Sequence, residues 1–212
     1  MMALFFCLCP RAGSQAHSYT GNLIMDEKKY LSAQELLNDS FQLGIQIFKS
    51  GFRPSFIIGV WRGGTPAAIA VQEILDYLGV KTDHIAIRTS AYYGIDQRDK
   101  KIRVHGLEYV VRQANWDDGL LIIDDVFDSG SSIKAIGETL RRKMRRNIPK
   151  DIRIATVWFK PKRNITEIVP DYYIHETDQW LVFPHELDGL SREEIFAHKP
   201  GLKKMIQNAG LS

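Results

Sequence analysis

A chain of 212 residues, 44% hydrophobic and 25% charged with a formal net charge of +3, has the composition of a globular domain rather than of a disordered or membrane-spanning chain. Charge this mild permits anionic ligands without arguing for nucleic acid. Both cysteines, Cys7 and Cys9, lie in the first ten residues, which excludes a disulfide framework and a cysteine-ligated zinc in the folded body. No segment approaches the roughly 18 apolar residues of a membrane helix, and a cytoplasmic, non-secreted protein is the expectation.

In chain order, "MMALFFCLCPRAGSQAH" has the flavour of a signal peptide. However, no Lys or Arg precedes its apolar run, and Pro10 ends that run early. Met25 opens "MDEKKYLSAQELL", which reads as a natural start, so residues 1–24 are expected to be a disordered tail or an over-extended start. Ser32 and Glu35 form a capping-box pattern before a helix with Leu36, Leu37, Phe41, Ile45 and Phe48 at helical spacing, ended by Gly51. "SFIIGV" (55–60) reads as a buried strand and "WRGG" as a turn. Thr65 is placed to cap a helix starting at Pro66.

"DHIAIR" (83–88) is a second strand, while residues 89–104 are too polar and irregular for a core element. "EYVVRQ" suits a short strand and "ANWDDG" a turn into the strand "LLIID". A helix follows from Ser131 to about Arg146, then the strands "IRIATVW" (152–158) and "DYYIHE" (171–176), and a polar loop through Trp180. The end is a helix capped by Ser191 and Glu194 and broken near Pro200. Strands alternating with helices predict an α/β fold with a mostly parallel sheet flanked by helices.

"LLIIDDVFDSGSS" (120–132) concentrates the chemistry. Parallel sheets bind ligands at the carboxyl ends of their strands, where Asp124 and Asp125 fall. Carboxylates there can accept from vicinal sugar hydroxyls or hold Mg²⁺. "DSGSS" supplies backbone N–H groups, a glycine, hydroxyls and a helix N-terminus, which suits a phosphate. A 5-phosphorylated ribose satisfies both ends of the loop. The rival is ordinary helix capping, but three acids behind one strand exceed what a cap needs.

These residues resemble the phosphoribosyl-pyrophosphate (PRPP) signature of the type I phosphoribosyltransferases. "GVWRGGTPAA" (59–68) resembles the family's pyrophosphate turn, and "SAYYGIDQR" (90–98) the mobile loop of its xanthine-guanine and hypoxanthine members. "WFKP…HETDQWLVFPHE" (158–186) resembles their base-binding hood. The resemblance divides the chain into a phosphoribosyltransferase domain at 25–190, with the hood at about 158–190, and a helical extension at 191–212.

Residue by residue, the resemblance implies that Asp124 and Asp125 bind the ribose hydroxyls, directly or through Mg²⁺. Asp128 would exchange a proton with purine N7, and Ser129, Gly130, Ser131 and Ser132 would hold the 5-phosphate. Arg62 and Gly63 would form the pyrophosphate turn, where the family often has a non-proline cis peptide. Lys160 would donate to a purine 6-oxo group, Trp180 would stack on the base, and Arg98 would act from the mobile loop. Glu186, with Asp125, would lie by a metal. Ala91 stands where the family commonly has a serine before the tyrosine, here Tyr92.

The implied reaction joins a 6-oxopurine (hypoxanthine, guanine or xanthine) to PRPP and releases pyrophosphate. The implied assembly is a homodimer or homotetramer. Taken alone, Lys160 reads as a surface lysine and Trp180 as a partly buried core residue, whereas a bare turn accounts for the glycines after Arg62 but not for the arginine. The basic run "LRRKMRRNIPK" (140–150) sits at a helix C-terminus, where cations complement the dipole. A nucleotide-sensing regulator that binds nucleic acid through that run is the alternative. A phosphotransfer receiver domain also places acids at strand ends, but leaves "WRGG" and the hood unexplained.

Overall fold

The computed structural model describes residues 28–93 and 100–211. The segment 1–24 and Arg98 of the mobile loop lie outside the described residues.

The centre is a sheet of six strands in the order β4-β3-β2-β5-β6-β7, all parallel except β4. β2 (Phe56–Trp61) and β5 (Gly119–Phe127) lie side by side in the middle, with Ile58 opposite Ile122. β6 (Asp151–Phe159) and β7 (Tyr172–Glu176) extend the sheet on one side, β3 (Asp83–Tyr93) and β4 (Lys100–His105) on the other. Helices cover both faces, so the central strands are apolar along their length rather than alternating. Along β5, Leu121 and Ile123 enter the core beneath α1 (Ala33–Lys49) and α2 (Gly64–Tyr77), with Leu43, Ile47, Val71 and Leu75. Leu120 and Ile122 enter the opposite core beneath α3 (Glu108–Gln113) and α4 (Ser131–Met144), with Val110, Ile136 and Leu140.

α1 starts at the expected capping box: the Ser32 hydroxyl accepts from Glu35 N–H, and the Glu35 carboxylate accepts from Ser32 N–H. Three expectations are corrected. "EYVVRQ" is helix α3, because Leu107, Val110 and Ala114 recur at helical spacing and all three are buried. That spacing outweighs the strand preference of the Val110–Val111 pair.

The stretch 89–104 is not irregular. β3 runs on through Tyr93 and pairs antiparallel with β4, placing Ala91 opposite Ile102. This hairpin runs past the sheet, whose pairing of β2 with β3 ends at Trp61 and Arg88, so little hydrophobic alternation marks it. Finally, α2 begins at Gly64 with Gly63 as its cap, so Thr65 lies inside the helix and its hydroxyl is buried without a partner among the described residues.

A second, two-stranded sheet sits beyond β7. β1 (Lys28–Tyr30) runs parallel to β8 (Trp180–Val182), and the Leu31 amide donates to Val182 O at 3.0 Å. Strands of three residues are too short to leave a periodic signal. The chain ends in α5 (Arg192–His198), capped by Ser191 and Glu194 as expected, and α6 (Pro200–Asn208). Among the described residues no helix is long and apolar enough to cross a membrane.

Helices α1 and α2 meet at Gly44, where an added Cβ would sit 2.2 Å from Ile74 Cγ2 and 3.3 Å from Val71 O. Alanine gains about 1 kcal/mol of helix propensity over glycine, but overpacking typically costs about 1–3 kcal/mol. A Gly44→Ala protein is expected to be less stable by on the order of 1 kcal/mol, read as a lower urea midpoint with an unchanged slope.

Candidate active site

From β2 the chain crosses to β3 on one side, and it later returns as β5 on the other. The ends of β2 and β5 are therefore a switch point, where their loops diverge and leave a crevice. Both loops carry candidate residues.

After β2 the backbone turns through Trp61–Arg62, joined by a cis peptide, into Gly63 and the first turn of α2. This turn lies directly on the β5 carboxylates. A Cβ on Gly63 would fall 1.9 Å from Asp125 Oδ2, and one on Gly64 would fall 2.6 Å from Ile123 O. The two glycines are thus required by space rather than by an unusual φ.

Asp124 and Asp125 lie near the carboxyl end of β5, followed only by Val126 and Phe127, in a strand that is otherwise apolar. Asp125 N–H donates to Asp124 Oδ1 at 3.1 Å, and Val126 N–H to Asp125 Oδ1 at 2.8 Å. Burial raises the Asp124 carboxyl well above its ordinary value, and the neighbouring Asp125 charge pushes it further. Burial also raises Asp125, against the opposing pull of its hydrogen bonds and of His185. The His185 ring lies 3.9 Å from Asp125 Oδ2.

The loop after β5 is shaped for an anion. Gly130 caps α4 with φ 75° and has no side chain to bond the helix's first amides, of which Ser131 N–H donates to Ser129 Oγ at 3.3 Å. Ser129 Oγ donates to Ser131 Oγ at 3.0 Å, and the Ser132 hydroxyl is 3.3 Å from Thr89 Oγ1 on β3. Amides, hydroxyls and the positive end of a 14-residue helix converge there.

Between the acids and the hood is a cleft of about 380 Å³ lined by Arg62, Gly63, Asp125, Asp128, Lys160, Trp180 and Glu186, among others. Lys160 is only 5% exposed, which removes its reading as a surface lysine. Its ammonium is 3.8 Å from Asp128 Oδ2, while Arg163 Nε donates to Asp128 Oδ1 at 2.7 Å. Trp180 is 55% exposed at the cleft mouth, so it is not the core residue its type alone suggests. Glu186 accepts from Phe183 N–H at 3.0 Å and closes a turn beside His185.

Arg163 and His185 were not singled out from sequence, yet both line the cleft. Arg163 is brought back by the 3₁₀ turn Pro161–Arg163, whose Arg163 amide donates to Lys160 O. A proline followed by two basic residues was the signal for that turn. Ser90, the residue before Ala91, hydrogen-bonds His105 across the β3–β4 hairpin at 3.1 Å. The basic run is engaged with the fold: Lys143 pairs with Glu108 and Lys150 with Asp117.

A family model described as the phosphoribosyl transferase domain matches residues 27–189. The chain belongs to this phosphoribosyltransferase family. A hypoxanthine-guanine phosphoribosyltransferase of Lactococcus lactis is 28% identical over 179 residues, covering 82% of this chain and 88% of its own. A purine phosphoribosyltransferase from Pyrococcus horikoshii aligns with a TM-score of 0.62 at 29% identity, over 78% of this chain and 98% of its own. A Neisseria gonorrhoeae protein solved with bound ppGpp has the same fold, with a TM-score of 0.65 at 17% identity, over 84% of this chain and 98% of its own. The phosphoribosyltransferase match ends at 189, so α5 and α6 lie beyond it.

Two predictions test the packing and charge of this candidate site. Gly63→Ala would drive a methyl into the Asp125 carboxylate and should lower kcat/KM by about 100-fold, with the fold retained by circular dichroism. The raised Asp124 carboxyl has a definite sign: an acid held above its ordinary 3.8 destabilises the native state as pH rises through that raised value. Asp124→Asn should therefore melt higher than wild type at neutral pH without ligand, by on the order of 1 kcal/mol, and match it below pH 3.8.

Proposed function

We propose that this protein is a purine phosphoribosyltransferase that converts a 6-oxopurine and PRPP to a nucleoside 5′-monophosphate and pyrophosphate. The observation that carries the reading is the triad of Asp128, Lys160 and Arg163 facing the glycine turn and Asp125 across one cleft. An acid fixed by two cations at the base side and paired acids at the ribose side match the two ends of such a reaction.

In this reading the 5-phosphate sits on the amides and hydroxyls of Ser129–Ser132. Asp124 and Asp125 accept from the ribose hydroxyls, and the Arg62–Gly63 turn receives the pyrophosphate. The bond from C1′ to the pyrophosphate oxygen breaks as the bond from C1′ to the purine nitrogen forms, through a transition state with positive charge on the ribose. The anionic floor at Asp124 and Asp125 favours that charge. Lys160 offers only donors, so it suits a 6-oxo group and disfavours the amino group of adenine. Asp128 takes the purine proton at N7, and Trp180 covers the ring.

Asp125 and Glu186 fit Mg²⁺, which takes oxygen donors, one or two carboxylates and substrate phosphates. When bound it would neutralise the pyrophosphate. Among the described residues there is no cluster of three or more His, Cys, Asp or Glu that could hold a metal ion.

The test is pyrophosphate release from PRPP with Mg²⁺ and, separately, hypoxanthine, guanine, xanthine, adenine or no base. Turnover is expected with at least one 6-oxopurine and not with adenine. An Asp128→Asn protein should lose about 10²–10⁴-fold in kcat. Turnover with adenine alone would remove Lys160 from the base site. Release that needs no base would remove the transferase reading.

A further inference from the structure

The C-terminal helices lie beyond the family match, yet they reach the lining of the cleft. α5 is anchored to β1 by three contacts. Glu194 Oε1 accepts from Lys28 Nζ at 2.6 Å and from Tyr30 OH at 2.9 Å, which holds the Glu194 carboxyl down to about 2. The His198 ring stacks on Tyr30 at 3.6 Å with planes 8° apart. β1 in turn pairs with β8, which carries Trp180.

The next residue, Lys199, sits where α5 ends and α6 begins, its own amide bonded to Ile195 O. Its ammonium donates to Phe183 O at 3.0 Å and to Pro184 O at 2.9 Å. Those carbonyls belong to the turn closed by Glu186 N–H to Phe183 O and by Phe183 N–H to the Glu186 carboxylate, each 3.0 Å. The same turn places His185 and Glu186 in the cleft, beside Asp125. Charge-assisted bonds to two successive carbonyls are stronger than neutral ones and fix backbone rather than a side chain. Burial lowers the Lys199 ammonium from its ordinary value, against the charge of Glu186, which favours the ammonium.

We propose that Lys199 is a positioning residue: through it the helical extension clamps the Phe183–Glu186 turn and sets the pyrophosphate and metal side of the cleft. This rests on the transferase reading for its kinetic consequence, though not for its structural one. The base side, built on Lys160, Asp128 and Trp180, is not held by Lys199. Loss of Lys199 should therefore weaken PRPP use selectively. A merely structural role would instead lower the active fraction, reducing kcat and leaving both KM values alone.

The experiment uses the full chain as wild type, Lys199→Met and Lys199→Arg. Amide exchange across residues 183–186 should quicken by about 10-fold in the methionine variant and be largely restored by arginine, which keeps the charge and the donors. With Mg²⁺ and the best purine, the methionine variant should raise KM for PRPP by about 10-fold and leave KM for the base within about twofold. Unchanged exchange at 183–186 would overturn the clamp. So would faster exchange with both KM values unchanged, or an equal rise in both. If the wild type turns over no base, the transferase reading falls, and the exchange measurement still decides whether Lys199 holds the turn.

Discussion

Asp124 and Asp125 are pressed against the backbone of a neighbouring turn with no room for a Cβ between them. The rest of the site takes its place from this contact. It requires glycine at 63 and 64, because any side chain would enter the carboxylates or the β5 backbone. It also requires β2 and β5 to be neighbours with diverging loops, which the crossover to β3 on one side and to β5 on the other supplies. The acids lie at the end of buried hydrocarbon, and burial raises both. A cationic ligand or a set of sugar hydroxyls relieves that cost, so the unliganded protein stores an electrostatic bias toward binding.

The third acid is treated differently. Asp128 lies beyond the strand and is flanked by Lys160 and Arg163, whereas Asp125 has the His185 ring 3.9 Å away. Carboxylates in one cleft with different neighbours can take different roles, which is how a single site separates charge stabilisation from proton transfer. Between them the cleft floor is the end of β5 itself, so the spacing of Asp125 and Asp128 is set by the last residues of the strand and the first of the loop.

Much of this was legible in the sequence, and the exceptions have physical causes. β2 and β5 are long apolar runs because both faces are buried, and the acids and glycines behind them stand out against hydrocarbon. α1 announced itself by a capping box that is present as written. Helix α3 was misread because six residues with two valines favour a strand until the spacing of Leu107, Val110 and Ala114 is weighed. The β3–β4 hairpin was missed because it runs past the sheet, where hydrophobic periodicity fades. β1 was invisible at three residues, and its pairing with β8 joins positions 28–30 to 180–182, a separation no local pattern carries. Arg163 and His185 failed for a related reason. Each is an ordinary residue until a 3₁₀ turn or a Pro-containing turn points it into the cleft.

The hood and the β3–β4 hairpin are built on opposite plans. The hood wall is short in sequence but heavily cross-linked: β8 is paired by β1, β1 is gripped by α5, and α5 hands over to Lys199, which returns to the turn after β8. The β3–β4 hairpin, by contrast, leaves the parallel sheet after Arg88 and is joined to the phosphate loop through Thr89 and Ser132. A small domain gains precision at a site by fixing the groups that orient a ligand with bonds from outside the site. Here those bonds come from a segment that the family match does not include, so this chain supplies its own second support for a shared cleft. Leu181 and Phe183 are themselves buried in the core that packs on the sheet, so Lys199 adds its hold on the Phe183–Glu186 turn to one that the sheet already gives.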